Sequence, residues 1–185
     1  DLDTGELNDT VDITGGRIEG NVDLGPQNDL LTLRDGSRVD GMVNGNLGDD
    51  TFDILGTVTM STPLNGDGRN DSYIFRNAGT INVLLDGGAD SDTIVGDDDG
   101  NAFTVTASNA GMLPEKAPAG FQFVENLTGG LAVDTFAINA DLDGNITGGA
   151  SNDTVTIAAN QTVGGDIDGD SGNDMFTIAD GSDVL

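Results

Sequence analysis

The sequence predicts an all-β protein: a right-handed parallel β-helix (β-solenoid) with about 21 residues per coil, forming one domain over residues 1–185. Three observations predict it. An Asn/Asp-Asp pair, usually followed by Thr, recurs at a nearly constant interval, apolar residues fall in fixed columns relative to that pair, and turn residues separate the columns. Such a period is typical of repeat proteins, in which each coil buries its apolar side against neighbouring coils.

The repeat is defined by an aspartate, which we call position zero. Successive members are separated by 20, 21, 21, 21, 42, 19 and 21 residues, so one interval spans two periods. A chain that returns to the same face at this interval stacks its coils at about 4.7–4.9 Å, and about nine coils give a rod roughly 40 Å long. The members are Asp9, Asp29, Asp50, Asp71, Asp92, Asp134, Asp153 and Asp174.

Apolar residues occupy positions +2, +4, −7 and −11 in nearly every repeat. The step from +2 to +4 is the alternation of a strand with one buried face, so strands are expected at about +1 to +5, −12 to −10 and −8 to −6. Parallel connections of this kind are almost always right-handed. The −11 column, for example, is Ile18, Val39, Met60, Ile81, Phe123, Leu142 and Val163.

Glycine fills position −5 in most repeats. We expect it to turn a tight corner that needs a positive φ, which glycine adopts without steric cost. The residues are Gly45, Gly66, Gly87, Gly129, Gly148 and Gly169.

The long interval between Asp92 and Asp134 contains Pro114, Pro118 and the only lysine, Lys116. Because proline cannot donate to a strand ladder, residues 106–120 are predicted to leave the rod as a loop. A functional excursion and a tolerated insertion both stay open. The chain begins and ends in mid-repeat without visible caps, so we expect a segment of a longer repeat protein whose partners include flanking repeats or other copies.

Composition excludes several functions. With 33 acidic and 6 basic residues the net charge is −27, which opposes binding to nucleic acid and to anionic membrane surfaces. The absence of His and Cys removes imidazole and thiol chemistry, so any metal would be held by oxygen ligands. No apolar run is long enough to span a bilayer, and membrane insertion of this segment is not expected.

The column of position-zero aspartates needs an explanation, because like charges about 5 Å apart repel by roughly 3 kcal/mol per pair at an effective dielectric near 20. Bound calcium, hydrogen bonds from turn amides, and side chains splayed into water are three ways to relieve the repulsion. All three stay open. The candidate calcium ligands are Asp29, Asp50, Asp71, Asp92, Asp153 and Asp174.

Residues 169–177, Gly-Asp-Ser-Gly-Asn-Asp-Met-Phe-Thr, resemble the glycine- and aspartate-rich nonapeptide of RTX proteins, with one departure at the second position. The resemblance implies a β-roll in which turn carbonyls and the aspartate coordinate calcium between coils. Residues 45–53 and 87–95 are also similar. Here the nonapeptide occurs once per 21 residues and not back to back, so only one edge of the rod could carry ions.

Asn109-Ala110-Gly111, followed by residues 123–130, Phe-Val-Glu-Asn-Leu-Thr-Gly-Gly, resembles a stretch of large bacterial haemagglutinin-like adhesins. The strand pattern of Asn28 to Leu33 and Gly36 to Asn44 is also similar to autotransporter passenger domains. These resemblances imply a secreted protein or one at the bacterial cell surface, with a host or cell-surface receptor or a glycan as partner.

We therefore expect a structural or adhesive rod that acts as a rigid extender or builds a filament or layer, and not an enzyme. The alternatives are a β-helix enzyme of the polysaccharide lyase or epimerase class, or a calcium-binding RTX-type secretion module. Against an enzyme, the basic residues form no cluster; Arg17 and Arg38 share one column and face Glu19 and Asp40 as local counter-charges. Ice binding is disfavoured because Leu30, Ser72 and Met175 interrupt the threonine row at +1.

Overall fold

A computed structural model describes all 185 residues as a β-solenoid of about nine turns with about 21 residues per turn and no helix, which confirms the predicted fold class. Most strands are short because each coil turns a corner every few residues. The strands are β1 (Leu2–Asp3), β2 (Thr10–Ile13), β3 (Arg17–Ile18), β4 (Val22–Asp23), β5 (Leu30–Arg34), β6 (Arg38–Val39), β7 (Val43–Leu47), β8 (Thr51–Met60), β9 (Leu64–Gly68), β10 (Ser72–Ile81), β11 (Leu85–Asp86), β12 (Thr93–Val95), β13 (Ala102–Ala107), β14 (Ala110–Leu113), β15 (Ala117–Gln122), β16 (Asn126–Thr128), β17 (Thr135–Ile138), β18 (Ile146–Thr147), β19 (Thr154–Ile157), β20 (Thr162–Val163), β21 (Ile167–Asp168), β22 (Met175–Ile178) and β23 (Asp183–Val184).

Two long sheets form the main faces of the rod. The eleven-stranded sheet has the order β1-β4-β7-β9-β11-β15-β14-β13-β17-β19-β22, and the ten-stranded sheet has the order β2-β5-β8-β10-β12-β16-β18-β21. Pairing is parallel except around β14, and in the regular coils it is in register with the repeat, so Leu31 lies beside Phe52 and Phe52 beside Tyr73. Two-residue strands form a third, shorter face of the rod, where β3 pairs with β6 and β20 pairs with β23.

One cluster of 31 buried apolar residues runs through the rod. The alternation predicted for positions +2 and +4 is confirmed in the inner coils, since Phe52 and Ile54 are fully buried while Asp53 between them is not. Aromatic rings also stack from coil to coil: the ring centroids of Phe52 and Tyr73, and those of Phe103 and Phe136, are 5.0 Å apart. Each coil therefore buries its apolar side chains against its neighbours.

The prediction of a loop outside the rod at residues 106–120 is wrong. These residues belong largely to a three-stranded antiparallel meander, β13-β14-β15, within the eleven-stranded sheet. Leu113 and Ala117 are buried in the core. Pro118 is accommodated because it is exposed and lies where the β14–β15 register is irregular. In this segment the alternation of buried and exposed residues along each strand thus replaces the 21-residue period.

The meander also moves the strands that follow position zero from one sheet to the other. Before it, the strands that follow a position-zero aspartate (β2, β5, β8, β10 and β12) lie in the ten-stranded sheet; after it, β17, β19 and β22 lie in the eleven-stranded sheet. The predicted columns are continuous in sequence but not in space. Three column members are exposed. Phe123, expected inside at −11, is 52% exposed, and the neighbouring Val124 is buried in its place. Phe176 and Ile178, at +2 and +4 of the last repeat, are 45% and 54% exposed because β22 is the last strand of its sheet.

Candidate functional site

The position-zero aspartates point into the rod. Along a strand, residues two apart share a face, so an aspartate two residues before a buried +2 side chain is itself directed inward. The same alternation is visible in the sequence, where it indicates an inward direction for these aspartates. The buried members, each 3% exposed or less, are Asp29, Asp50, Asp71, Asp92, Asp134 and Asp153, whereas Asp174 is half-buried.

Each of these carboxylates ties two coils together. The backbone N–H of Asp29 donates to Oδ1 of Asp50 at 2.8 Å, that of Asp50 to Oδ1 of Asp71 at 2.8 Å, and that of Asp71 to Oδ1 of Asp92 at 2.7 Å. The same bond joins Asp153 to Asp174 at 3.0 Å. The N–H group that each carboxylate accepts therefore belongs to the preceding coil. A local Asx turn would instead use an N–H group of the aspartate's own turn. We call this set of bonds the aspartate ladder.

Two members of the ladder were missed because neither is an aspartate. Glu125 accepts the backbone N–H of Asp92 through Oε2 at 2.8 Å. Asn101 donates its backbone N–H to Oδ1 of Asp134 at 2.5 Å. The alternation of Phe103 and Val105 after Asn101 matches the +2 and +4 columns and could have revealed this member.

The second carboxylate oxygen, Oδ2, is packed against the glycine at −5 in Asp50, Asp71, Asp92 and Asp153. It has no hydrogen-bond partner in Asp29, Asp50, Asp71, Asp92 and Asp153. A Cβ on Gly45 would lie 2.5 Å from Oδ2 of Asp50 and 2.6 Å from the carbonyl oxygen of Gly66. Gly45 does not have a positive φ, whereas the next residue, Asn46, does at 74°. The expected reason for glycine at −5 is thus wrong: the position needs glycine because the carboxylate approaches its Cα closely.

Burial makes these carboxyl groups hard to ionise. Removal from water raises the pKa of Asp50 to about 6, that of Asp92 to about 7 and that of Asp71 to about 8, although the amide donors act in the opposite direction. Neighbouring carboxylates of the ladder add to the increase. The repulsion that the sequence predicts is therefore relieved by amide bonds and, at lower pH, by protonation.

The geometry does not match a calcium site. Calcium takes about six to eight oxygen ligands, but Oδ1 of each ladder carboxylate holds an amide and Oδ2 is enclosed. No group of three or more His, Cys, Asp or Glu side chains converges as a metal site would require. The structure supports the amide-capping alternative. Calcium binding stays a prediction for Asp29, Asp50, Asp71, Asp92, Asp153 and Asp174.

A buried ion pair lies where the meander joins the coils. Lys116 and Asp97 are 5% and 4% exposed, and Nζ of Lys116 contacts Oδ2 of Asp97. The backbone N–H groups of Ala78 and Asp99 also donate to this carboxylate, each at 3.2 Å. The lysine expected in an exposed loop therefore neutralises a buried carboxylate inside the rod.

Arginine pairs bridge coils on the surface. Arg17 contacts both Glu19 and Asp40, and Arg38 contacts Asp40, which confirms the expected local counter-charges. Because the two arginine side chains are about half exposed, water screens these pairs and they add little to stability.

Comparison with protein-family models, with curated proteins and with solved structures finds no match for this chain. None of its segments forms a helix long and apolar enough to cross a membrane. The conclusion about architecture accordingly comes from the geometry: the chain is a parallel β-solenoid tied together by an internal aspartate ladder.

Proposed function

We propose that the chain is a rigid, acidic extension module of a secreted or bacterial cell-surface protein, holding other parts of that protein or its partners at a fixed distance. The observation that carries the proposal is the unbroken stack. The core cluster and the strand pairing continue through the meander, so all coils belong to one body. In such a stack each coil is held by its neighbours, so bending the rod requires the strand hydrogen bonds on several faces to open together.

The ladder supports this role in a second way. Each aspartate fixes the spacing of two coils by a side-chain bond in addition to the strand hydrogen bonds. A net charge of −27 keeps the surface hydrated and opposes nonspecific association. The exposed faces remain available for contact with a receptor or glycan, as the adhesin-like sequence implies.

Rigidity is tested by distance measurement between two spin labels. The chain has no cysteine, so Thr10→Cys and Thr156→Cys, both at exposed strand positions, provide unique attachment sites. About seven coils separate the labels, which predicts a narrow distribution near roughly 30–40 Å that salt does not change. A broad distribution that contracts with added salt would refute the proposal, because it would show a flexible chain expanded by its own charge.

A further inference from the structure

Lys116 carries the only side-chain amine of the chain, and this amine is buried against a carboxyl group. Nζ of Lys116 contacts Oδ2 of Asp97, and both side chains are almost completely removed from solvent. An ammonium group has three N–H donors, yet this carboxylate is the sole hydrogen-bond partner of Nζ. The nitrogen is therefore directed at one carboxyl group and at no other hydrogen-bonding group.

The backbones on both sides of the pair are fixed. The N–H of Asp97 donates to Oδ1 of Asn101 at 3.3 Å, and Nδ2 of Asn101 donates to the carbonyl oxygen of Asp97 at 2.9 Å. The N–H of Lys116 donates to the carbonyl oxygen of Leu113 at 3.0 Å, and the carbonyl oxygen of Lys116 accepts the N–H of Ile81 at 2.8 Å. Two reactive groups held together in this way react as parts of one molecule, with an effective concentration of about 10⁵–10⁸ M in well-oriented cases.

The carboxyl group of Asp97 also has donors where negative charge develops when a nucleophile adds to it. The N–H of Asp99 donates to Oδ1 and that of Ala78 donates to Oδ2, each at 3.2 Å. Addition to Cγ turns one carboxyl oxygen into an oxyanion, and a backbone N–H already aimed at that oxygen lowers the barrier. Oδ1 is suited to this role, because Oδ2 contacts Nζ and can take its proton.

We propose that Lys116 and Asp97 condense to an amide, which is a covalent cross-link between their side chains. One proton passes from Nζ to Oδ2, which leaves an amine with a free electron pair beside a carboxylic acid. Nζ then adds to Cγ, a second proton moves from the nitrogen to Oδ2, and the C–Oδ2 bond breaks to release water. The nitrogen keeps one proton, Oδ1 becomes the amide oxygen, and no oxidant or reductant is required. The ion pair is the form in which the chain folds, and the amide forms from it afterwards.

The remaining ion pairs of the rod do not have this chemistry. They involve arginine, whose guanidinium stays protonated and has no free electron pair, and the arginine side chains are about half exposed. The cross-link joins the segment after β12 to the turn between β14 and β15. It thereby closes the place where the antiparallel meander interrupts the parallel stack. The bond goes beyond the extension role and stands or falls independently of it.

The intact mass of the full chain is the first test. Incubated in the folded state at neutral pH, the chain should come to lie one water molecule below the mass given by its sequence, at a rate that does not depend on protein concentration. The chain kept in urea should retain the sequence mass, because the two groups are not held together there. A folded chain that stays at the sequence mass after several days overturns the proposal.

Trypsin locates the bond, because it cleaves only after lysine or arginine side chains that are free. Arg76 is the basic residue before Lys116, and none follows Lys116. In the denatured chain a free Lys116 therefore gives fragments 77–116 and 117–185, whereas the amide leaves residues 77–185 as one fragment that lacks one water. Complete cleavage after Lys116 would refute the cross-link.

Two variants separate the amide from other losses of water. Lys116→Arg keeps a positive charge beside Asp97 but cannot form the amide, so it should keep its sequence mass. Asp98→Asn, at an exposed neighbouring position, should lose one water as the parent chain does. Cyclisation of an aspartate that precedes glycine, as at Asp99–Gly100, also releases water, but it does not need Lys116. A loss of water that persists in Lys116→Arg therefore overturns the proposal, and if this variant does not fold, the trypsin fragments of the parent chain still decide.

Discussion

Replacing Lys116 with methionine removes the only positive charge in contact with buried Asp97. Methionine keeps the length and apolar stem of lysine, so packing is largely retained. The carboxylate then has only the N–H groups of Ala78 and Asp99, each at 3.2 Å, to compensate for its burial. We expect Lys116→Met to destabilise the fold strongly, because a buried charge is left without its partner.

The magnitude follows from burial. The side chains of Lys116 and Asp97 are 6% and 2% exposed, and breaking a pair of this kind by removing one partner costs about 3–5 kcal/mol. For a chain of 185 residues, each 1 kcal/mol lowers Tm by about 2–4 °C, so Tm should fall by roughly 6–20 °C. The double variant Lys116→Met with Asp97→Asn should recover part of this loss, since no charge is left buried and the single amide oxygen of asparagine still accepts one of the two backbone bonds.

Urea and thermal unfolding followed by circular dichroism at neutral pH provide the assay. Arg76→Met is the matched control, because Arg76 pairs with Asp53 at 2.8 Å but is 55% exposed, and loss of such a pair costs at most about 1 kcal/mol. Equal, small effects of Lys116→Met and Arg76→Met would refute the reasoning. So would a double variant that is no more stable than Lys116→Met alone.

Three further predictions concern the ladder and core. Because the pKa values of the ladder carboxyl groups are raised, the folded state binds more protons than the unfolded chain. The free energy of unfolding is therefore greatest near the unfolded pKa of about 4 and falls as pH rises toward about 8. Thermal melts should give a higher Tm at pH 5 than at pH 8.5, and a higher Tm at pH 8.5 would contradict this. Gly45→Ala places a Cβ 2.5 Å from Oδ2 of Asp50 and should cost about 1–3 kcal/mol in urea unfolding, whereas Gly16→Ala, whose Cβ meets nothing closer than 3.8 Å, should cost at most about 1 kcal/mol; equal costs would show that the close approach is not limiting. Phe136→Ala removes a buried ring stacked at 5.0 Å and should lower the free energy of unfolding by about 3–5 kcal/mol; a loss below about 1 kcal/mol would place the ring outside the core.

The sequence predicts the regular coils well because the same environment is repeated. Positions such as Phe52 and Ile54 recur in nearly every period, so one noisy residue does not hide the alternation. The meander has no second copy in the chain. Its antiparallel strands show only the local two-residue alternation. The two prolines indicated a loop, because proline is excluded from regular strand ladders, but Pro118 lies within β15 at an exposed position where the register is irregular.

The candidate site was predicted by position but not by environment. Periodicity identified Asp50 and Asp71, yet a column of aspartates is compatible with bound ions, with capped amides or with solvated side chains. Strand alternation settles the direction, since positions zero and +2 share the buried face. The amide partner could not be predicted, because the bond runs to the previous coil and depends on the stacking register. Glycine at −5 likewise reflects a contact with Asp50 that no local rule describes.

The most direct test of the aspartate ladder is a thermal melt by far-UV circular dichroism, first in chelator and then in millimolar calcium. If amide bonds from neighbouring coils satisfy the buried carboxylates, the chain is folded in chelator, with the same β spectrum and nearly the same Tm in both conditions. A coil spectrum in chelator that becomes β-rich when calcium is added would contradict the account and assign the ladder aspartates to calcium.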